Sequence, residues 1–170
     1  MSVDFMGSAC KESARTDRVF GLCDDELGDK AYSDVDDDTK WIAKIINNSR
    51  VAVSFTAIDH CITVLKSGTN DQESTCDGML TFDDHLYLVE LKNRRQGGWV
   101  AAARIQLENT IRLLQQYHDI KAVKFKKAYA CNKKHPQFTV IDSAERKAFF
   151  ERTNGFRLDA RAEIFIDIPS

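Results

Sequence analysis

Apolar positions along the chain fall into short runs with two periodicities. Thr39 is placed to cap a helix over Lys40 to Asn48, with Trp41, Ile42, Ile45 and Ile46 on one side. Val51 to Ile58 is rich in β-formers, and Cys61 to Leu65 reads as a second short strand. The cluster Ser67-Gly68-Thr69-Asn70-Asp71 marks a turn. Thr75 to Phe82 and His85 to Lys92 read as strands joined by a tight turn at Asp83-Asp84, a hairpin or short meander. A loop with two glycines, Arg94 to Gly98, leads into the longest helix, Trp99 to Tyr117, whose apolar stripe is Val100, Ile105, Leu107, Ile111 and Leu114. A strand over Ala122 to Cys131, a short helix over Ala144 to Glu151 and a strand over Ala160 to Ile168 complete the order. Helix, strands, long helix, strand, helix and strand predict a mixed α/β domain, one central sheet flanked by helices.

Composition narrows this further. The 170 residues are 43% hydrophobic and 29% charged, which excludes collagen, coiled coil and wholesale disorder. The length predicts a single domain over 1–170, with its core at about 40–131. An acidic segment, 1–39, would precede that core, and a helix–strand extension, 132–170, would follow it. No apolar run approaches the roughly 20 residues of a membrane helix. The first residues hold Asp4 and no signal-like apolar stretch, so the expectation is a cytoplasmic protein with no membrane partner. Five cysteines without a C-x-x-C pair predict reduced, mostly buried thiols rather than a disulfide framework or zinc knuckle.

Net charge is −2, but its distribution is uneven. Residues 1–90 carry 8 Lys+Arg against 18 Asp+Glu, and residues 91–170 carry 16 against 8. Such asymmetry marks either a nucleic-acid surface hidden by a neutral average or two halves that intermix. The run from Asp24 to Asp38 reads as a solvated acidic loop, or as one that cups a cation.

The chemistry concentrates in Cys76 to Arg94. In the strand Leu86 to Lys92, Leu86, Leu88, Glu90 and Lys92 share one face, and Tyr87, Val89 and Leu91 the other. Both faces are apolar until Glu90, as in a central strand. Its end sets a carboxylate and an ammonium side by side where burial is costly unless the charges are paired or used. Hairpin pairing about Asp83-Asp84 would put Asp77 opposite Glu90, with Cβ atoms about 5 Å apart. Two carboxylates so close repel unless a cation lies between them, and oxygen ligands of this kind suit Mg2+ or Mn2+.

Asp77-Gly78 followed by Glu90-Leu91-Lys92 on adjacent strands resembles the PD-(D/E)XK nuclease superfamily, the restriction-endonuclease-like fold. The resemblance covers roughly Val51 to Cys131. It implies a mixed sheet with a helix after the Glu-x-Lys strand, where Trp99–Tyr117 falls. It also implies a glutamine on that helix near the metal, matched by Gln106. Two positions depart from the pattern: Thr110 stands where a tyrosine is usual, and Cys76 stands in place of proline before the first acid. The resemblance implies metal-dependent hydrolysis of phosphodiesters; the expected substrate is DNA before RNA. Asp77, Glu90 and the Leu91 carbonyl would hold the metal, and Lys92 would orient the water or stabilise developing charge. An acid from the first helix is also implied, and Glu12, Asp24, Asp25 and Asp59 are open candidates.

Beyond Lys92, Arg94, Arg95, Lys133 and Lys134 could neutralise phosphates. Lys121, Lys124, Lys126 and Lys127 could do so too, or guard an ordinary solvated edge. Asp59-His60 reads as a turn, Trp99 as a core anchor, and His85, His118 and His135 as surface residues. One domain leaves little room for a separate sequence reader, so either the specificity is structural or a second copy of the chain or a partner protein would supply targeting. The rival reading is the same fold without activity, binding protein or nucleic acid within a larger assembly.

Overall fold

A computed structural model describes residues 3–7, 9–25 and 27–166. Strand β6 (His85–Lys92) is its spine: every residue from His85 to Leu91 is buried. The turn at Asp83-Asp84 returns it from β5 (Gly78–Phe82) in antiparallel register, Phe82 opposite His85 and Gly78 opposite Val89. The sequence reading placed the same register here. Asp83 takes a positive φ of 46° at this turn, a conformation Asp tolerates better than most side chains.

Around this hairpin run β4 (Ser54–Ala57), β7 (Phe125–Asn132) and β8 (Arg157–Ala160), in the order β4-β5-β6-β7-β8. The first two pairings are antiparallel and the last two parallel. The parallel steps need crossovers, and helices α1 (Trp99–Tyr117) and α2 (Ser143–Arg152) provide them. Leu107, Ile111 and Leu114 of α1 and Phe149 of α2 pack with Met79, Leu86, Leu88, Ala128 and Leu158 on one sheet face.

The opposite face is covered by a second sheet, not by helices. Strands β1 (Val19–Cys23), β2 (Tyr32–Asp34), β3 (Ala43–Ile46) and β9 (Glu163–Phe165) form it in the order β2-β1-β3-β9. Phe20, Leu22, Ile45 and Ile164 meet Phe55, Leu80, Tyr87, Val89, Leu91 and Tyr129 in one apolar cluster. The layers are therefore helices, a five-stranded mixed sheet and a four-stranded mixed sheet, an α/β architecture with two sheets where one was expected.

Several expectations are corrected by this second sheet. The helix expected over Lys40–Asn48 is instead a single 3-10 turn, Asp38–Lys40, followed by β3. Ala43 and Ile45 are buried and Lys44 is exposed, the period-two burial of a strand. Asp37, not Thr39, caps the turn by accepting a hydrogen bond from the Thr39 amide. The segment Asp24 to Asp38, expected to be a solvated acidic loop, supplies β2 at the edge of this sheet, with Tyr32, Ser33 and Asp34 half-buried. Cys61 to Leu65 is not a strand: the chain turns at residues 58–62, with His60 at φ 64°. The strand expected over Ala160–Ile168 is two short strands in different sheets, β8 and β9, and Asp167 and Ile168 lie outside the described residues.

The thiol reading is also corrected. Cys10 and Cys61 form a disulfide with Cα atoms 6.0 Å apart. Cys23, Cys76 and Cys131 are free and buried, as expected. No helix among the described residues is long and apolar enough to cross a membrane.

Candidate functional site

The β5–β6 register extends one step beyond Gly78–Val89, which sets Asp77 across from Glu90. Both carboxylates are buried, Asp77 7% and Glu90 2% exposed. Gly78 makes room for this: a Cβ there would lie 2.3 Å from the Phe55 ring. The Leu91 amide donates to Asp77 Oδ2 at 2.6 Å. Lys92 Nζ pairs with Glu90 Oε2 at 2.8 Å and donates to Gln106 Oε1 of α1 at 2.7 Å. Glu90 Oε1 is buried and has no hydrogen-bond partner.

Thr110 holds α1 against this strand end. Its hydroxyl accepts from the Cys76 amide at 2.7 Å and donates to the Gln106 carbonyl at 2.9 Å. The position where the resembled pattern has tyrosine therefore fastens the residue before Asp77 to the turn of helix carrying Gln106. Sequence reasoning saw only the departure, because a threonine bond to a residue 34 positions away leaves no local signature.

Burial pushes the Asp77 carboxyl up to about 10, and the charge of Glu90 adds to the rise. Burial also raises Glu90, against the opposing pull of Lys92. Two carboxyls are thus held where ionisation is unfavourable. Lys92 is the cation bonded to the pair, and together with a proton on Asp77 it balances the charge of the two carboxyls.

The site opens into a cleft of about 420 Å³ lined by Asp24, Asp59, Asp77, Glu90, Leu91, Lys92, Asn93, Arg94 and Gln106. Two of the open acid candidates, Asp24 and Asp59, are therefore brought to the site, and neither comes from a helix. Glu12 is turned to Ser33, whose amide donates to it at 3.0 Å, and Asp25 accepts from the Tyr32 hydroxyl at 3.0 Å. A larger cavity of about 710 Å³ lies at the C-terminal end of α1, around Tyr117–Lys121, and contains none of these groups. Among the described residues no three His, Cys, Asp or Glu side chains group closely enough to hold a metal by themselves. Any ion here would draw on two carboxylates plus carbonyl, water or substrate oxygens.

The basic candidates divide. Arg94 lines the cleft. Its backbone is clamped by the buried Asn132, whose amide donates to the Arg94 carbonyl at 2.7 Å and accepts from its N–H at 3.2 Å. Arg95 and Lys134 are exposed and outside the lining. Lys133 donates to the Thr39 carbonyl, which ties it to the acidic segment instead. His85 is buried between the Phe82 and Phe125 rings, at 4.4 Å from each centroid, not on the surface. Trp99 is buried as expected and stacks on His135 at 6.0 Å.

Comparison with protein-family models, with curated proteins and with solved structures gave no match.

Proposed function

We propose that the protein is a metal-dependent nuclease of the restriction-endonuclease-like, PD-(D/E)XK type, acting on DNA. The observation that carries this reading is the juxtaposition of two buried carboxylates, Asp77 and Glu90, with Lys92 and Gln106 at the end of the central hairpin. The unpartnered Glu90 Oε1 leaves a buried carboxyl oxygen open to a cation, which would displace the proton that burial favours on Asp77. Asp77, Glu90 and the Leu91 carbonyl would hold Mg2+ or Mn2+. Such an ion supplies Lewis acidity toward a phosphate and lowers the pKa of bound water.

The chain's own groups do the rest. Lys92, held by both Glu90 and Gln106, keeps an ammonium at the mouth of the site, where it can meet developing phosphoryl charge. Gln106 fixes that ammonium through its carbonyl oxygen and leaves its amide group for a water or phosphate oxygen. Arg94 places a second positive charge on the cleft wall, suited to a backbone phosphate.

The test is cleavage of plasmid and single-stranded DNA with Mn2+ or Mg2+. Wild type should cut, and Glu90→Ala and Lys92→Ala should each lose the activity. Cleavage that survives both substitutions would remove the chemistry from this strand end.

A second reading has its own support. The Glu90–Lys92 pair is closed at 2.8 Å, and a protonated Asp77 held by the Leu91 amide needs no ion. The same fold would then be an inactive module that binds nucleic acid or protein. Thermal shift separates the two: Mn2+ should raise the Tm of an active centre by mass action and leave that of a module unchanged.

A further inference from the structure

The cleft is bounded on one side by the turn at residues 58–62. Its backbone is fastened to the start of β5: the Ile58 amide donates to the Asp77 carbonyl at 2.9 Å, and the Asp59 amide to the Cys76 carbonyl at 3.1 Å. Asp59 lines the cleft, its side chain 36% exposed, oriented by its own neighbour with the His60 amide at 3.1 Å and the ring Nε2 at 3.3 Å. The left-handed backbone at His60 directs the chain into Cys61, and Cys61 is bonded to Cys10. Cys10 opens a segment that runs antiparallel along the outer edge of β4. Its carbonyl accepts from Ala57, and the Glu12 and Arg15 amides donate to the Phe55 and Val53 carbonyls.

The disulfide therefore pins the turn bearing Asp59 to an edge segment secured further along by backbone bonds. Both half-cystines are only partly buried, so a reductant can reach them. The other three thiols are poor competitors for exchange. Burial raises Cys23 to about 11 and raises Cys76 and Cys131 as well.

We propose that the Cys10–Cys61 disulfide tunes the cation affinity of the Asp77–Glu90 centre by holding the Asp59 carboxylate at its mouth. The proposal rests on the metal-centre reading above. Two features support it: Asp59 shares the cleft with both buried carboxylates, and Glu90 Oε1 is buried with no hydrogen-bond partner. Asp59 acts through the field of its charge, not as a direct ligand, which agrees with the lack of a three-residue metal cluster among the described residues. The switch step is thiol–disulfide exchange with a dithiol reductant. The Cys10–Cys61 bond breaks, the reductant gives up two electrons and two protons and closes its own disulfide, and Cys10 and Cys61 become thiols. The turn at 58–62 then keeps only its two backbone bonds to the start of β5, and the Asp59 charge is held less closely at the cleft. Disulfides that form in reducing surroundings are commonly transient and redox-sensing.

The experiment is Mn2+ titration by calorimetry on the full chain, oxidised and then reduced with dithiothreitol and freed of it anaerobically. Wild type, Asp59→Asn, Asp77→Asn and Cys10→Ser/Cys61→Ser are compared, and far-UV circular dichroism checks that each is folded. Reduction should weaken wild-type binding about fivefold, the scale of one screened charge acting on a divalent ion across a wet cleft. Oxidised Asp59→Asn should bind as weakly as reduced wild type and lose nothing more on reduction, a closed double-mutant cycle. If the double serine variant fails to fold, reduced and alkylated wild type replaces it. Equal affinity in both redox states, with binding still lost in Asp77→Asn, would overturn the proposal and leave the metal centre standing. No Mn2+ binding by oxidised wild type, or binding indifferent to Asp77→Asn, would overturn both.

Discussion

Asp77 and Glu90 share a problem that polar chemistry normally avoids: two like groups buried within reach of one ammonium. Asp77 keeps its proton in the folded protein far above the model-compound value of 3.8, first because it is buried and then because Glu90 is charged. The sign of the linkage follows. A raised folded pKa favours the native state below the unfolded value, and that contribution is lost as pH climbs toward about 10. Asp77→Asn imitates the protonated form and can still accept from the Leu91 amide. It should stabilise the metal-free protein by roughly 2 kcal/mol at pH 7, an advantage that shrinks toward pH 4 and grows toward pH 9. Urea unfolding across that range measures it, and a flat difference would show that Asp77 titrates normally. Lys92→Met should behave oppositely, costing about 3 kcal/mol by leaving Glu90 buried without its partner.

At the scale of elements, the strongest constraint on β1 comes from Trp41. A Cβ on Gly21 would sit 2.0 Å from the Trp41 ring, which lies across the strand and donates to Asp34 at 2.9 Å. Gly21→Ala should therefore cost about 2 kcal/mol, read as a drop in Tm. This packing also explains what was legible in the sequence. The boundaries of β6 and α1 and the register about Asp83-Asp84 could be read because each rests on local signals: an unbroken apolar run, a long 3.6-residue stripe, a two-residue turn. β3 could not, because Ile42, Ile45 and Ile46 satisfy helical spacing as well as alternation, and only pairing with β1 and β9 decides between them. β1 and β2 were hidden by the acids that flank them. Of the cleft lining, Asp77, Glu90 and Lys92 could be named from strand alternation and hairpin register, Gln106 from the resemblance alone, and Arg94 from its place just beyond Lys92. Asp24 and Asp59 could be named but not chosen, since their approach depends on tertiary folding. The disulfide joins positions 51 apart and has no spacing signature at all. Its removal by Cys10→Ser should lower stability by about 3 kcal/mol, given the length of the loop it closes.

Over the whole molecule, the uneven charge of the two halves resolves into partial mixing. The acidic segment contributes to the second sheet, and Lys133 reaches back to it through the Thr39 carbonyl, while Arg94 lines the cleft and Arg95 follows it, exposed, in the β6–α1 loop. Phosphate neutralisation would thus rest on few residues. Arg94→Ala/Arg95→Ala should weaken DNA binding about equally across sequences and reduce the slope of log affinity against log salt by about 2. Filter binding at several salt concentrations reads this, and an unchanged slope would move the DNA path off this loop.

The four-stranded sheet takes β1–β3 from early in the chain and β9 from late in it, with Ile46 and Phe165 as register partners. During synthesis, the apolar face of the central sheet must therefore wait for residues near 165 before its cover is complete. A nascent chain stopped after β8 would hold Asp77, Glu90 and Lys92 with the lid of the second sheet unfinished and Ala43 and Ile45 short of a neighbour. Such closure over long separation is slow and leaves sticky surface exposed meanwhile. The Asp77–Glu90 pair would then be dependably housed only when β9 docks, so that completion of the second sheet, and not the hairpin alone, sets when the cleft is ready.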